Sequence, residues 1–257
     1  MTTADPFDSP CLTLERAKHH IRDLKQVIQA FKNEQTQPWS YEIDTDSQPP
    51  NTVYKIRFHK LPPSDATCIL FDAVNNLRAT LDQIGYSAAI ASGKIKPERT
   101  KFLFGNDVKD PSKWKSTGLP AEIVDLFRSV EPYEGGNGQR LWAVNRLCNL
   151  KKHSQLVPTR ITGAVARFGA YFPDFTAAVT GFGGSNWMTN EHEFILMVRP
   201  PGEPDLNITG NFDFTVSVDA VDFIRDQPIV GVLEGAAGSV ADLLVSAEAI
   251  CQRADWG

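Results

Sequence analysis

One segment of the sequence carries three side chains with complementary chemistry at helical spacing. Arg146, Asn149 and His153 follow one another at intervals of three and four residues, so a helix presents all three on one face. An imidazole takes or gives a proton near neutral pH, and a guanidinium holds a phosphate or a developing negative charge. The spacing predicts a polar face that can do acid–base chemistry on a phosphate-containing substrate.

The same face has a purely structural interpretation. Lys151, Lys152 and His153 end the predicted helix, where cations complement the helix dipole and cap free carbonyls. Trp142 falls on the polar side of the helical projection, so that side carries apolar area that a neighbouring helix or a second subunit would cover. Both interpretations stay open at this point.

A second polar cluster lies on an earlier helix. Asn75, Arg78 and Asp82 share one helical face, beside Asn76. Two adjacent asparagines in a helix interior are unfavourable, which indicates that their amides bond to something, and the first polar face is the suggested partner. A structural polar cluster between the two helices is favoured over direct catalysis. The simplest alternative is an Arg78–Asp82 pair on a solvated face.

The elements that position these residues are predicted from apolar periodicity. The sequence indicates one α+β domain of residues 1–257, with a helical core, an N-terminal β-hairpin near 39–43 and 53–59, and a C-terminal antiparallel β-rich segment over 156–218. The helical core is predicted at 12–34, 64–92, 120–153 and 239–253. The strands of the β-rich segment are predicted near 160–171, 176–182, 192–198 and 206–217.

Composition narrows the class of protein. The chain has 257 residues, of which 42% are hydrophobic and 22% charged, as in an ordinary globular protein. No uninterrupted apolar run of bilayer length and no secretion signal is recognised, so a cytoplasmic protein without a membrane partner is expected. Four widely separated cysteines predict free thiols, and neither a metal nor a cofactor is expected.

Charge is unevenly distributed along the chain. The net charge is −5, which argues against broad nonspecific binding to nucleic acid. Residues 135–173 nevertheless contain six basic residues and lack both Asp and Glu. This basic segment either forms a phosphate-binding surface or is a chance fluctuation.

Other patterns are less diagnostic. The glycine-rich residues 181–186 lack the features of a phosphate loop, although they leave open a small-ligand site. His59, His192, Glu191 and Glu193 have no spacing typical of a metal site.

Two segments resemble a widespread group of uncharacterised bacterial proteins. Asn76-Leu77-Arg78-Ala79-Thr80-Leu81-Asp82 resembles the group's NLRxALD helix. Asn149-Leu150-Lys151-Lys152-His153 resembles its NxDKH helix end. The resemblance covers roughly residues 60–160.

The later helix is also similar to the HEPN superfamily of helical nucleases, because six residues separate Arg146 from His153. That resemblance implies a metal-independent endoribonuclease with a composite site at a homodimer interface, in toxin or phage-defence biology. His153 would be the general acid or base, Arg146 would stabilise the phosphate charge, and Asn149 would assist. Asn75, Arg78, Asp82, Lys152 and Trp142 would form the supporting polar face. A noncatalytic binding or scaffold protein is the alternative.

Overall fold

The computed structural model describes residues 5–93, 97, 100–105, 118–153, 159–172, 175–182, 187–188, 192–202, 207–218, 220–225 and 227–253. The fold is α+β, as the sequence predicts. The chain divides into two compact units, one of residues 1–25, 65–157 and 229–257, the other of residues 26–64 and 158–228. We call them the helical unit and the sheet unit. That the whole chain is a single domain stays a prediction.

The described residues of the helical unit form five α-helices, the first of which continues into the sheet unit. Their bounds are α1 (Asp8–Lys32), α2 (Ser64–Ala91), α3 (Ala121–Ser129), α4 (Gln139–His153) and α5 (Ile229–Arg253). The long helix α2 buries an apolar stripe that includes Leu70, Val74, Leu77 and Leu81. The periodicity of the sequence predicts this stripe, and the structure confirms it.

Helix α1 begins four residues before its predicted start at residue 12. Pro10 marks a break in the sequence pattern, but it stands in the first helical turn, where no backbone N–H is needed for an intrahelical hydrogen bond. Before the helix, the Pro6 carbonyl accepts a hydrogen bond from Ser87 Oγ of α2 at 2.6 Å. This contact joins the beginning of the chain to α2.

Helix α5 begins ten residues before its predicted start at residue 239. The glycines at 231, 235 and 238 weaken the helical signal, and burial of one face, with Val232, Leu233 and Ala236, outweighs their low propensity. Among the described residues α5 is long and apolar enough to cross a membrane, with a mean hydropathy of 1.6 over its best window. A core helix passes the same test. The sequence does not predict this property, because Glu234 and Asp242 interrupt the apolar run.

The turn before α4 depends on glycine. At Gly138 an added Cβ would stand 2.5 Å from the Val130 carbonyl oxygen and 2.9 Å from Val130 Cγ1. The Gly138 carbonyl accepts N–H groups from Leu141 and Trp142, so this residue also begins α4. A side chain at position 138 would displace the start of the helix.

Gly138→Ala is therefore expected to lower the free energy of unfolding by about 1–3 kcal/mol, as overpacking does elsewhere. The measurement is urea unfolding followed by circular dichroism. Gly238→Ala in α5 is the matched control, since nothing lies within 4 Å of its added Cβ. That change should stabilise the protein by about 0.4–1 kcal/mol. Equal effects of the two substitutions would contradict the steric argument.

In the sheet unit, the part of the chain that the structure describes forms two antiparallel sheets. Its strands are β1 (Trp39–Asp44), β2 (Thr52–Phe58), β3 (Thr159–Phe172), β4 (Phe175–Phe182), β5 (Trp187–Met188), β6 (Glu193–Arg199) and β7 (Asn207–Val218). The first sheet has the order β1-β2-β6-β5, and the second has the order β4-β3-β7. A short 3-10 helix, Asp222–Ile224, follows β7.

The predicted strands agree with the observed ones within two residues, but β5 has no predicted counterpart and the strand pairing differs. The sequence predicts the β1–β2 hairpin apart from the C-terminal strands, whereas β2 pairs with β6 over Thr52–Arg57. Strand periodicity reports which face of a strand is buried and carries no information on its partner. Phe58 and Phe214 of β7 make an edge-to-face contact with ring centroids 5.2 Å apart, so buried side chains of the two sheets touch at this point.

Candidate functional site

The polar residues of α4 lie on two adjacent strips rather than one. Arg146 and Asn149 are exposed, whereas Asn145 and Cys148, each one position earlier, are buried. One residue corresponds to about 100° around a helix, so the two strips point in clearly different directions. We call Arg146 and Asn149 the exposed strip, and Asn145 and Cys148 the buried strip.

The buried strip binds α4 to α2. Arg78 Nε donates a hydrogen bond to Asn145 Oδ1 at 2.9 Å. Asn145 is only 5% exposed, so its amide needs this partner. Arg78 Nη1 also lies 2.6 Å from Asp82 Oδ1, an ion pair along α2. The guanidinium of Arg78 thus joins a carboxylate on its own helix to a buried amide on α4.

Arg78 and Asp82 also hold the segment that follows α2. Asp82 Oδ1 accepts the backbone N–H of Phe102 at 3.1 Å. The guanidinium carbon of Arg78 lies 4.6 Å from the centre of the Phe104 ring, within cation–π range. These contacts make Arg78 and Asp82 the centre of a structural polar cluster between α2, α4 and residues 102–104.

The asparagine pair of α2 has two different roles. Cys148 Sγ lies 3.6 Å from Asn75 Oδ1, a weak second polar link between α4 and α2. Asn76 instead donates to the Asp72 carbonyl of its own helix at 2.7 Å. The predicted partnership between the α2 amides and α4 therefore holds for Asn75. The partner is the buried strip, one position away from the predicted polar face.

Trp142 is not on the polar surface, contrary to the helical projection. Its side chain is buried at 7% exposure. The guanidinium carbon of Arg146 lies 5.9 Å from the centre of the indole ring, so Arg146 partly covers it. The projection gives the angle of a side chain around one helix axis. Whether a large ring at that angle is buried depends on the residues of the same chain that pack beside it. The apolar area at Trp142 needs no second subunit to bury it.

The exposed strip carries positive charge. Within the described part of the chain, no carboxylate forms an ion pair with Arg146. The α4 backbone continues to His153, and position 153 stands two turns after position 146 on the same helix face. The side chains of Lys151, Lys152 and His153 lie outside the described residues. Of the predicted catalytic residues, Arg146 and Asn149 are therefore placed on a common exposed surface.

The sheet unit contains a charged cluster that the spacing of the sequence does not predict. Lys55 Nζ lies 2.6 Å from Asp44 Oδ2 and 3.0 Å from Glu193 Oε2. Arg57 bridges Glu193 at 2.5 Å and Glu42 at 2.8 Å. The side chains of Lys55 and Glu193 are each only 5% exposed. These five residues join β1, β2 and β6, and we call them the ionic cluster.

Burial and pairing act in opposite directions on the pKa of Lys55. Burial lowers it, and the hydrogen bonds to Asp44 and Glu193 outweigh this and raise it. The pKa of Asp44 is well below its usual range, first because of the Lys55 ammonium and then because of backbone N–H groups of Ser47 and Asp46. Both groups are therefore charged at neutral pH. A cleft of about 540 Å³ opens over part of this cluster and the β1–β2 turn.

The sequence contains a faint signal for the ionic cluster. Lys55 and Arg57 alternate with apolar residues in β2, which looks like an ordinary solvated face. Their carboxylate partners lie on two other strands, so only the pairing of β2 with β6 brings Glu193 to them. Sequence spacing alone does not contain that pairing.

The histidine–glutamate set and the glycine-rich segment are the two weaker features of the sequence. His59 Nε2 contacts Ser40 Oγ at 2.7 Å. In the described ranges, no group of three or more His, Cys, Asp or Glu residues could hold a metal ion. Glu191 lies outside the described residues. So do the glycine-rich residues 183–186, which make up most of the suggested small-ligand site.

No protein-family model, no curated protein and no solved structure matches the chain. The resemblance to the HEPN superfamily rests on the sequence motifs and stays a prediction.

Proposed function

We propose that the exposed strip of α4 binds and cleaves RNA without a metal ion, in a homodimeric cytoplasmic protein of HEPN type. The observation that carries this proposal is the exposure of Arg146 and Asn149 one turn apart, with no ion pair to Arg146 among the described residues. A guanidinium that no described carboxylate neutralises, on an acid-free stretch of sequence, suits a phosphodiester.

The chemistry follows from the residue types. His153 accepts the proton of a ribose 2′-hydroxyl as its oxygen attacks the adjacent phosphorus, and the bond to the 5′-oxygen breaks. The products are a 2′,3′-cyclic phosphate and a 5′-hydroxyl, which takes up a proton. Arg146 stabilises the negative charge that develops on the phosphate oxygens. Asn149 contributes an amide donor between them.

The test is incubation of the purified protein with total RNA in excess EDTA. Cleavage should fall by about 10²–10⁴-fold in His153→Ala, the range typical of a lost general acid or base. Arg146→Ala should also lose cleavage. Arg22→Ala, an exposed arginine of α1 outside the site, is the charge-matched control and should retain activity. Undiminished cleavage in the Arg146 and His153 variants would exclude these residues.

A noncatalytic scaffold is the second proposal, and the contacts of Arg78 favour it. Arg78, Asp82 and Asn145 direct their polar groups at one another and at the Phe102 backbone, as structural groups do. On this proposal Arg78 and Asn145 variants lose stability, and the wild-type protein cleaves no RNA in EDTA. The same cleavage assay therefore separates the two proposals.

A further inference from the structure

Strand β1 lies at one end of its sheet, and its outer edge can be assigned from two hydrogen bonds. The His59 N–H donates to the Pro38 carbonyl, while the Phe58 N–H donates to the His192 carbonyl on the other side. Backbone groups alternate in direction along an antiparallel strand. The register pairs Ser40 with Arg57 and Glu42 with Lys55, so even-numbered residues of β1 bond to β2. The N–H and C=O groups of Tyr41 and Ile43 therefore point away from the sheet.

No strand among the described residues pairs with this outer edge. An unpaired edge is a template for another strand, since its donors and acceptors are already aligned. The two faces of β1 specify what that strand would carry. Tyr41 and Ile43 share one face, where Ile43 is 52% exposed and Tyr41 stacks on Tyr54 with ring centroids 6.3 Å apart. This face suits apolar side chains.

The other face of β1 is acidic. The ionic cluster and the β1–β2 turn place four carboxylates against two cations there: Glu42, Asp44, Asp46 and Glu193 against Lys55 and Arg57. Lys55 is almost fully buried, whereas Asp46 is exposed beside the cleft of about 540 Å³. The surface that an added strand would meet thus has excess negative charge. Basic side chains on that strand would be attracted to it.

We propose that the β1 edge binds an extended segment of a partner protein in which Lys or Arg alternates with apolar residues. Its backbone pairs with Tyr41 and Ile43, its apolar side chains lie against the Tyr41–Ile43 face, and its basic side chains enter the acidic cleft. A second copy of β1 fits less well, because two acidic faces would come together. Alternation of the partner's side chains matches the period of two along β1.

The test uses the full chain and a labelled nine-residue peptide of alternating lysine and valine, acetylated and amidated, with binding followed by fluorescence anisotropy. The lysine–valine peptide should bind, and a glutamate–valine peptide should not. N-methylation of alternate peptide bonds, on the edge that faces β1, should weaken binding by about tenfold or more, because it removes the backbone donors. This control leaves the protein unchanged, so misfolding of a variant cannot imitate it.

Asp46→Lys locates the binding surface. It should weaken binding of the lysine–valine peptide by about fivefold at low salt, whereas Asp72→Lys, an exposed aspartate of α2, should leave it unchanged. Equal binding of the N-methylated and unmodified peptides would overturn the proposal. So would absence of binding, equal effects of the two aspartate variants, or a homodimer whose β1 edges the peptide does not displace.

Discussion

Replacing Lys55 with methionine is expected to lower the free energy of unfolding by about 3–5 kcal/mol, the cost of removing one partner from a buried ion pair. The reason is geometric. Lys55 is 4% exposed, and its ammonium is the shared partner of Asp44 and Glu193. Without it, Arg57 is the ion-pair partner that the nearly buried Glu193 keeps among the described residues. The measurement is urea unfolding followed by circular dichroism.

The matched control is Lys18→Met in α1. Lys18 also pairs with a carboxylate, that of Glu15 at 2.8 Å, but the two side chains are 37% and 64% exposed. Exposed pairs contribute about 0–1 kcal/mol, because water screens the attraction and ordering two side chains costs entropy. A Lys55→Met variant as stable as Lys18→Met would show that the ionic cluster contributes no more than a surface pair.

The pH dependence of stability gives the same cluster a second signature. The lowered pKa of Asp44 contributes stability above the unfolded value of about 3.9, and this contribution is lost as the pH falls below it. The raised pKa of Lys55 contributes stability below about 10.4, which is lost as the pH rises through the higher folded value. Stability from this cluster should be constant between about pH 5 and 9. In Lys55→Met the decline on the acid side should be shallower.

The elements of this fold are predictable from the sequence because local periodicity encodes which face is buried. The stripe of α2 and the alternation of β2 both lie where the pattern predicts them. The predicted start of α5 is wrong because the glycines lower local helix propensity. Burial against the rest of the helical unit nevertheless makes these residues helical. Local preference is weak enough for tertiary packing to override it.

The candidate site also has features that helical spacing predicts and features that only tertiary packing determines. Helical spacing correctly predicts that Arg146 and Asn149 share an exposed face. Helical spacing does not predict that Trp142 is buried, because burial depends on which other residues pack over the indole ring. Asn145 carried a signal that was overlooked, since it stands between Val144 and Cys148 in the apolar stripe of α4. A polar residue there requires a buried partner, and Arg78 is that partner.

The contact between Arg78 and Asn145 should show up as coupling in a double-mutant cycle of Arg78→Met and Asn145→Leu. Each single variant leaves Arg78 Nε or Asn145 Oδ1 without the other, and the double variant contains neither atom. The lost Asp82 pair is common to Arg78→Met and the double variant, so it cancels, and the double change should cost less than the two single changes together. The expected coupling is about 1.5–3 kcal/mol, the range for hydrogen bonds to charged groups. Additive effects in urea unfolding would mean that the 2.9 Å hydrogen bond contributes little.

Arg146→Met is the control for this cycle and links it to function. Arg146 is adjacent in sequence to Asn145 but exposed, and its contact with Trp142 at 5.9 Å is worth about 0.5–1 kcal/mol at most. We expect this variant to unfold almost as the wild type does, while losing RNA cleavage. On the proposed function, the exposed strip meets the substrate whereas the buried strip holds the helix, so stability and activity should separate between two consecutive residues of α4. Loss of both at Arg146, or of neither, would contradict that separation.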